Sequence, residues 1–297
     1  MSKASCWLLA FAVAAILLGG AAVYAAFPHS TPSPTSHEPT GSPSAEATGE
    51  PSADPAPTGA TVPANMSDLL VGPHTVKVKM TGKYSWALMD LRTGKIYGSD
   101  NMHDTQKTAS MIKAWIAADY LRRQAENGKT PSSTYLDLAA KAVQRSDNNA
   151  ASTLFSAVGN SASTKRMISM CKLEDSKSDD NWSNTLLSAY DTAKLGACIS
   201  SGTAAGEKWT PWLLTKMRTT ILGTWGIKKA FTDDIAKNIA IKNGWVDRQA
   251  TQTYTVNCLA IGDKWSMGVM TSYPLSFSNG EAYGAGICKQ VAAALKN

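Results

Sequence analysis

Ser110 and Lys113, in the stretch "TASMIKAW", stand three positions apart, a spacing that puts both on one face of a helix about a turn apart. A serine becomes a good nucleophile only when a base takes its proton, and the usual base is scarce in this chain. Of the four histidines, His29 and His37 lie in a Pro/Ser/Thr-rich stretch and none follows His103. A Ser-His-Asp arrangement is therefore disfavoured, with His103 its one open candidate. A lysine can replace histidine if burial or a neighbouring charge depresses its pKa. Ser110 at the N-terminus of its helix would also have the free amides and partial positive charge that favour a developing oxyanion. The pair alone does not establish this chemistry. "SMCK", Ser169 to Lys172, repeats the pattern, and a helix start followed by an exposed lysine accounts for either copy taken singly.

Two further stretches hold side chains that complement such a pair. In "QRSDNNAAS", Ser146, Asp147 and Asn148 open a helix. A serine hydroxyl there can relay a proton between a lysine and a leaving group, and an asparagine amide can hold a substrate carbonyl. An N-cap cluster, for which all three residue types are favoured, explains it equally well. In "AIKNGW", Lys242-Asn243-Gly244-Trp245 ends an apolar, strand-like run. The glycine permits close approach by a ligand and the lysine offers a cation for a carboxylate; a plain turn is the ordinary account. A second "SDN", Ser99–Asn101, precedes Ser110.

The elements that must position these residues follow from periodicity and punctuation. Two strand-like runs, "HTVKVKM" (74–80) and "YSWALMDL" (84–91), are followed by the turn "RTGK" and by "IYG". Helical spacing then dominates: 110–124 ending near Gly128, a helix through Gln144 capped by Ser133, "DNNAASTLFSAVG" stopped by Gly159, "SASTKRMISM", "AYDTAKLGACI" capped by Ser188, and "WLLTKMRTT" opened by Thr210-Pro211. Three strands return at 238–245, 253–262 and 264–273, and a last helix covers 280–296. Strands at both ends with helices between them predict an α/β (α+β) domain, one sheet assembled from the two termini, with helices packed on it and forming a second lobe. The cleft between lobes is the default place for chemistry.

Order separates the candidates from their copies. Ser-x-x-Lys at 110–113, then Ser-Asp-Asn at 146–148, then Lys-x-Gly at 242–244 is similar to the motif set of the serine β-lactamase and penicillin-binding D,D-peptidase superfamily, nearest its class A-like branch. "TASMIKAW" and "SDNNAASTLFSAVG" resemble the family in their flanks as well. Ser99 comes before the nucleophile motif, and no Ser-Asp-Asn follows Ser169.

The resemblance implies a β-lactamase/transpeptidase-like fold, with an antiparallel sheet flanked by helices. It also implies Ser110 as the acylated nucleophile, Lys113 as its base and Ser146 as proton shuttle. Asn148, Lys242, Asn243 and Gly244 would bind substrate, and the backbone amides of Ser110 and Trp245 would form the oxyanion hole. Three departures stand out. Asn243 replaces the usual Thr or Ser, its amide still being able to bind a carboxylate. The short interval from Ser110 to Ser146 implies a more open cleft. The Glu-x-x-x-Asn loop of class A enzymes is absent from "CKLEDSKSDDNWSNTLLSAYD" (171–191), where Glu174, Asp179 and Asp180 read as solvated loop carboxylates. The implied function is a serine hydrolase acting by an acyl-serine intermediate on a cell-wall D,D-peptide or β-lactam-type amide, with weak deacylation. The alternatives are a true class A-type β-lactamase and a catalytically silent peptidoglycan-binding domain.

The rest of the chain sets this domain outside the cytoplasm. Residues 4–27 carry no charge and follow Lys3, which reads as a signal peptide or an uncleaved membrane anchor, so that 1–27 is a targeting segment. Residues 28–66 hold nine of the thirteen prolines and no Lys or Arg, the composition of a disordered linker. Residues 67–297 remain as the hydrolase domain, exported and either anchored or secreted. The first 66 residues hold one lysine and four acids, a net −3, which leaves +9 on the domain. That charge suits an anionic wall polymer or membrane surface, or solubility alone. No Lys/Arg run or basic-aromatic stripe points to nucleic acid. No His/Cys spacing resembles a metal site, and no cofactor is expected. A monomer is expected.

Cys6 lies in the apolar run, leaving four cysteines with three possible pairings. Cys258 falls in a strand that the last helix, with Cys288, could cover, and Cys171 and Cys198 end two neighbouring helices. Pairs 171–198 and 258–288 are therefore favoured over buried free thiols.

Overall fold

The computed structural model describes residues 76–277 and 280–296. The targeting segment 1–27, the linker 28–66 and the first two residues of the strand expected at 74–80 lie outside them. The strands are β1 (Lys83–Asp90), β2 (Ile96–Gly98), the two-residue β3 (Gln106–Lys107) and β4 (Leu186–Leu187), β5 (Ala240–Arg248), β6 (Thr253–Ile261) and β7 (Trp265–Pro274). The helices are α1 (Lys113–Glu126), α2 (Ser133–Gln144), α3 (Asn148–Ala157), α4 (Ser161–Met170), α5 (Ala189–Ser200), α6 (Thr210–Arg218), the single turn α7 (Asp233–Ala236) and α8 (Glu281–Ala294).

Five strands form one antiparallel sheet in the order β2-β1-β7-β6-β5, so the N-terminal hairpin and the three C-terminal strands close a single layer. β1 pairs with β7 from Lys83 opposite Ser272 to Asp90 opposite Trp265. Side chains alternate across a strand, and here both faces are covered. Trp86 and Leu88 join Val256, Cys258, Val269 and the α8 residues Ile287 and Val291. Ala87 faces the other way with Leu259, Ile261 and Met270, into the core built by α1 and α5. This is why the strands read as nearly continuous apolar runs.

α1 is the axis of the helical part. Residues 113–122 are all buried, and its Asp119 is held by Arg122, Arg166 and the Ser163 hydroxyl, which fastens α1 to α4. One disulfide, Cys171–Cys198, joins the end of α4 to α5, and a second, Cys258–Cys288, joins β6 to α8. Among the described residues no helix is long and apolar enough to cross a membrane.

Three sequence expectations are corrected. Residues 76–80 form no strand; alternation alone cannot supply a pairing partner. The cap of α2 is Ser132, whose hydroxyl accepts from Tyr135 N, rather than Ser133, which is already helical. The helix expected from residue 110 opens as a 3-10 turn over Ala109–Ile112 and becomes α-helical at Lys113. The β3–β4 pair was not foreseen, since two residues are too few to show a period.

Candidate active site

Ser110 sits on the 3-10 turn at the entrance of α1, half-buried, directly after Ala109 with φ +50°. A left-handed alanine is unusual and costs energy that the surroundings must offset. The turn is seated against β5. A Cβ added to Gly244 would strike the Met111 amide, the Thr108 carbonyl at 2.5 Å and the Ser110 amide at 2.9 Å. Gly244 thus admits the backbone that carries the serine, rather than a ligand as its motif suggested. β5 is an edge strand, so alternate amides between Gly244 and Arg248 have no strand partner on that side.

Lys113 is completely buried. Its Nζ donates to the Ser146 carbonyl at 2.5 Å and to Asn148 Oδ1 at 2.6 Å. Burial lowers its pKa to about 8, against a small opposing pull from Asp147. Lys242 approaches from β5, 1% exposed, and donates to the Ser146 hydroxyl at 3.0 Å and to its neighbour's carbonyl, Asn243 O, at 3.1 Å. Burial, and then the charge of Lys113, hold it well below the ordinary lysine range. Ser146 is the hub between them, with φ +55°. Asp147 caps α3 through the Ala150 amide at 2.8 Å, so the second motif supplies both the cap and the hydroxyl that Lys242 reaches. The structure therefore brings Lys113, Ser146, Asn148 and Lys242 into one hydrogen-bonded cluster at the entrance of α1.

Asn243 is not part of that cluster. Alternation along β5 turns it from the side of Lys242, and both hydrogens of its Nδ2 are used by the carbonyls of Gly223 (2.9 Å) and Trp225 (2.8 Å). The expectation that its amide binds a substrate carboxylate is corrected: no donor is left, and its buried task is to hold the loop 219–226. That loop is also tied to the end of α2, where Gln144 O accepts from the Ile221 and Leu222 amides. Gly223, at φ +78°, lets the Trp245 ring come within 2.9 Å of where a Cβ would be. Trp245 meets Trp225 edge to face at 5.5 Å. Ile221 and Leu222 remain 53% and 51% exposed, the two exposed large apolar side chains among the described residues.

The loop acids lie elsewhere. Glu174 pairs with Lys194 at 2.7 Å, which lowers its pKa, and accepts from Tyr190. Asp179 receives the Asn181 amide, and Asp180 is exposed. His103 faces Asp175 and packs at a tilt against the Tyr190 ring rather than meeting Ser110. The duplicate Ser169/Lys172 pair straddles the end of α4, with Lys172 outside the helix at φ +53°. Ser99 and Asn101 of the early "SDN" bond the backbone of Trp86 and Tyr84. Sequence reasoning missed Trp182, whose ring lies 4.8 Å from Lys113 Nζ. Its only signal was a large aromatic in the otherwise polar "DDNWSN".

Residues 126–297 match the family model of the beta-lactamase enzyme family. The match takes in the second and third motifs and begins beyond Ser110 and Lys113. The fold is similar to the TLA-3 extended-spectrum beta-lactamase, at 17% identity over 71% of this chain and 92% of that one, with a TM-score of 0.60. It is similar also to a beta-lactamase from Chitinophaga pinensis DSM 2588, at 18% identity over 72% and 94%, TM-score 0.59. The structure of PBP-A matches at 16% identity over 74% and 92%, TM-score 0.56. Identities this low make the likeness one of fold. No curated protein matches the chain.

Proposed function

The chain belongs to the beta-lactamase enzyme family, and from that premise we propose that residues 67–297 form an exported serine hydrolase working through an acyl-serine intermediate. Its substrates are cell-wall D,D-peptides and β-lactam-type amides, and it releases the acyl group slowly. The observation that carries this reading is the convergence of three motifs, more than 130 residues apart at their extremes, on Ser146: Lys113 on its carbonyl and Lys242 on its hydroxyl.

The chemistry follows from the donors available. A neutral Lys113 amine has two hydrogens, matched by Ser146 O and Asn148 Oδ1, and its lone pair is left for the Ser110 proton. Ser110 Oγ then bonds the substrate carbonyl carbon while the carbonyl electrons move to oxygen, stabilised by the amides of Ser110 and Trp245. Loss of one such donor costs about 10²–10³ in rate. As the C–N bond breaks, the proton that Lys113 took from Ser110 is returned through the Ser146 hydroxyl, which Lys242 holds in place, to the leaving nitrogen. Asn148 serves the substrate as well as the amine, and Lys242 attracts its carboxylate.

Slow release is supported by what surrounds the cluster. Among the described residues no carboxylate bonds Lys113, Ser146 or Lys242, and Glu174, Asp179 and Asp180 are engaged elsewhere or exposed. The two disulfides support an oxidising compartment, and residues 1–27 fit export with or without cleavage. A true β-lactamase is the second reading, favoured by the family match.

Labelled penicillin and nitrocefin, each tested on the wild-type chain and on Ser110→Ala, separate the readings. Stable labelling that the variant loses is the expected result, and rapid nitrocefin turnover would favour the β-lactamase. If neither compound reacts while wall fragments bind, the domain is a binding module and the proposal is wrong.

A further inference from the structure

We infer that Trp182 is a positioning residue that, from its place over Lys113, keeps water from the ester formed on Ser110. This rests on the acyl-serine reading. Hydrolysis of such an ester needs a water oxygen to add to its carbonyl carbon. That water gives a proton to a base, the C–Oγ bond breaks, and Ser110 Oγ takes a proton back. The base and the approach of the water are both at issue in this cleft.

Lys113 has two polar partners, Ser146 O and Asn148 Oδ1, and the Trp182 ring stands 4.8 Å from its nitrogen. The turn Trp182–Asn184 packs on the turn Ala109–Ile112 that carries Ser110. An indole offers a face that attracts a cation yet binds water poorly, so it covers the Lys113 nitrogen and offers no acceptor of its own to activate a water.

The ring is held by one hydrogen bond and the segment that carries it by several. Its Nε1 donates to Ser152 Oγ on α3 at 3.3 Å. The segment around it is clamped by the Lys177–Leu186 bridge, by Ser178 against Thr164, by the Thr108 amide on Thr185 O, and by Asp191, which receives the amides of Glu174 and Asp175. The Cys171–Cys198 disulfide closes the loop at its base. A side chain held this firmly over the base acts as a wall.

The test compares wild type, Trp182→Ala, Trp182→Phe and Ser152→Ala in the full chain. The half-life of the ester formed with labelled penicillin should fall by about tenfold or more in Trp182→Ala, stay close to wild type in Trp182→Phe, and fall less in Ser152→Ala. A second readout needs no acylation: reductive methylation of Lys113, followed by mass spectrometry, should be several-fold faster in Trp182→Ala and restored in Trp182→Phe. An ester as long-lived in Trp182→Ala as in wild type, or an unchanged methylation rate, overturns the inference. Absence of labelling in the wild-type chain sinks the acyl-serine reading instead, and the shielding by Trp182 is then decided by methylation alone.

Discussion

Lys242 Nζ lies 3.0 Å from the Ser146 hydroxyl, and the carbonyl of the same serine accepts from Lys113 Nζ at 2.5 Å. Two buried lysines thus share one small residue, and among the described residues neither is paired with a carboxylate. Two ammonium ions so placed oppose each other, and burial penalises both charges. The cluster relieves this by releasing a proton, which is the condition a lysine must meet to act as a base.

The pH dependence follows directly. Since burial holds Lys113 at about 8, the rate of penicillin labelling should rise about tenfold per pH unit below that value and level off above it. Stopped-flow labelling across this range is the check, and a flat profile would argue against a lysine base. Linkage gives the companion result. The unfolded chain keeps a proton that the folded one has released, so the contribution of Lys113 makes the protein more stable as pH rises from about 8 towards 10.5.

Lys242→Met should separate stability from activity. The substitution removes a fully buried ionisable amine that has no counter-ion and keeps the volume, so denaturant unfolding should show a gain of about 0.5–2 kcal/mol. Labelling should fall by about 10²-fold or more as the Ser146 hydroxyl loses the group that holds it. A variant that loses both stability and labelling would mean that Lys242 is structural.

Ser146→Gly examines the hub itself. Glycine adopts the φ of +55° without strain, so the melting temperature should hold or rise slightly. The hydroxyl is lost, and the acylation rate should drop by about 10²–10⁴. Single-turnover labelling beside thermal melts would show the two effects apart.

Gly244→Ala and Asn243→Ala should both destabilise, for different reasons. The added methyl group meets backbone at Thr108 and Ser110, costs about 1–3 kcal/mol by overpacking, and moves the serine, so labelling falls with stability. Asn243→Ala leaves two carbonyls of the loop 219–226 without their donor, a loss of about 1–3 kcal/mol. Because both Nδ2 hydrogens of Asn243 serve this loop, its effect should appear in unfolding more than in the labelling rate of the folded protein. A selective loss of carboxylate-bearing substrates in Asn243→Ala would restore it to the binding site.

Much of the sheet could be read from the chain, because β6 and β7 are apolar over lengths that no loop would have and are bounded by Gly262-Asp263. The cluster at Ser146 was legible in order only: nothing local distinguishes Ser110-Lys113 from Ser169-Lys172, and their difference lies in where α4 happens to stop. Asn243 was misread because its neighbours are ligand-facing in type, while the period of two in a strand sends it to the other side. Trp182 was invisible because its place over Lys113 depends on contacts of its segment with α3 and with Thr108, 30 or more residues away in sequence. Residue type and order travel along the chain, but the direction in which a side chain points is settled by partners far away.

The pairing of β1 with β7 joins residues nearly 190 positions apart, and the seat of the Ser110 turn is Gly244, more than 130 positions later. Until the last third of the polypeptide has emerged, the nucleophile has no support and the first hairpin has no sheet to join. Such a domain cannot mature piecemeal: contacts this remote make folding slow and collective. Under the proposed export, the chain stays unstructured through transit and acquires its reactivity in one late event on the far side.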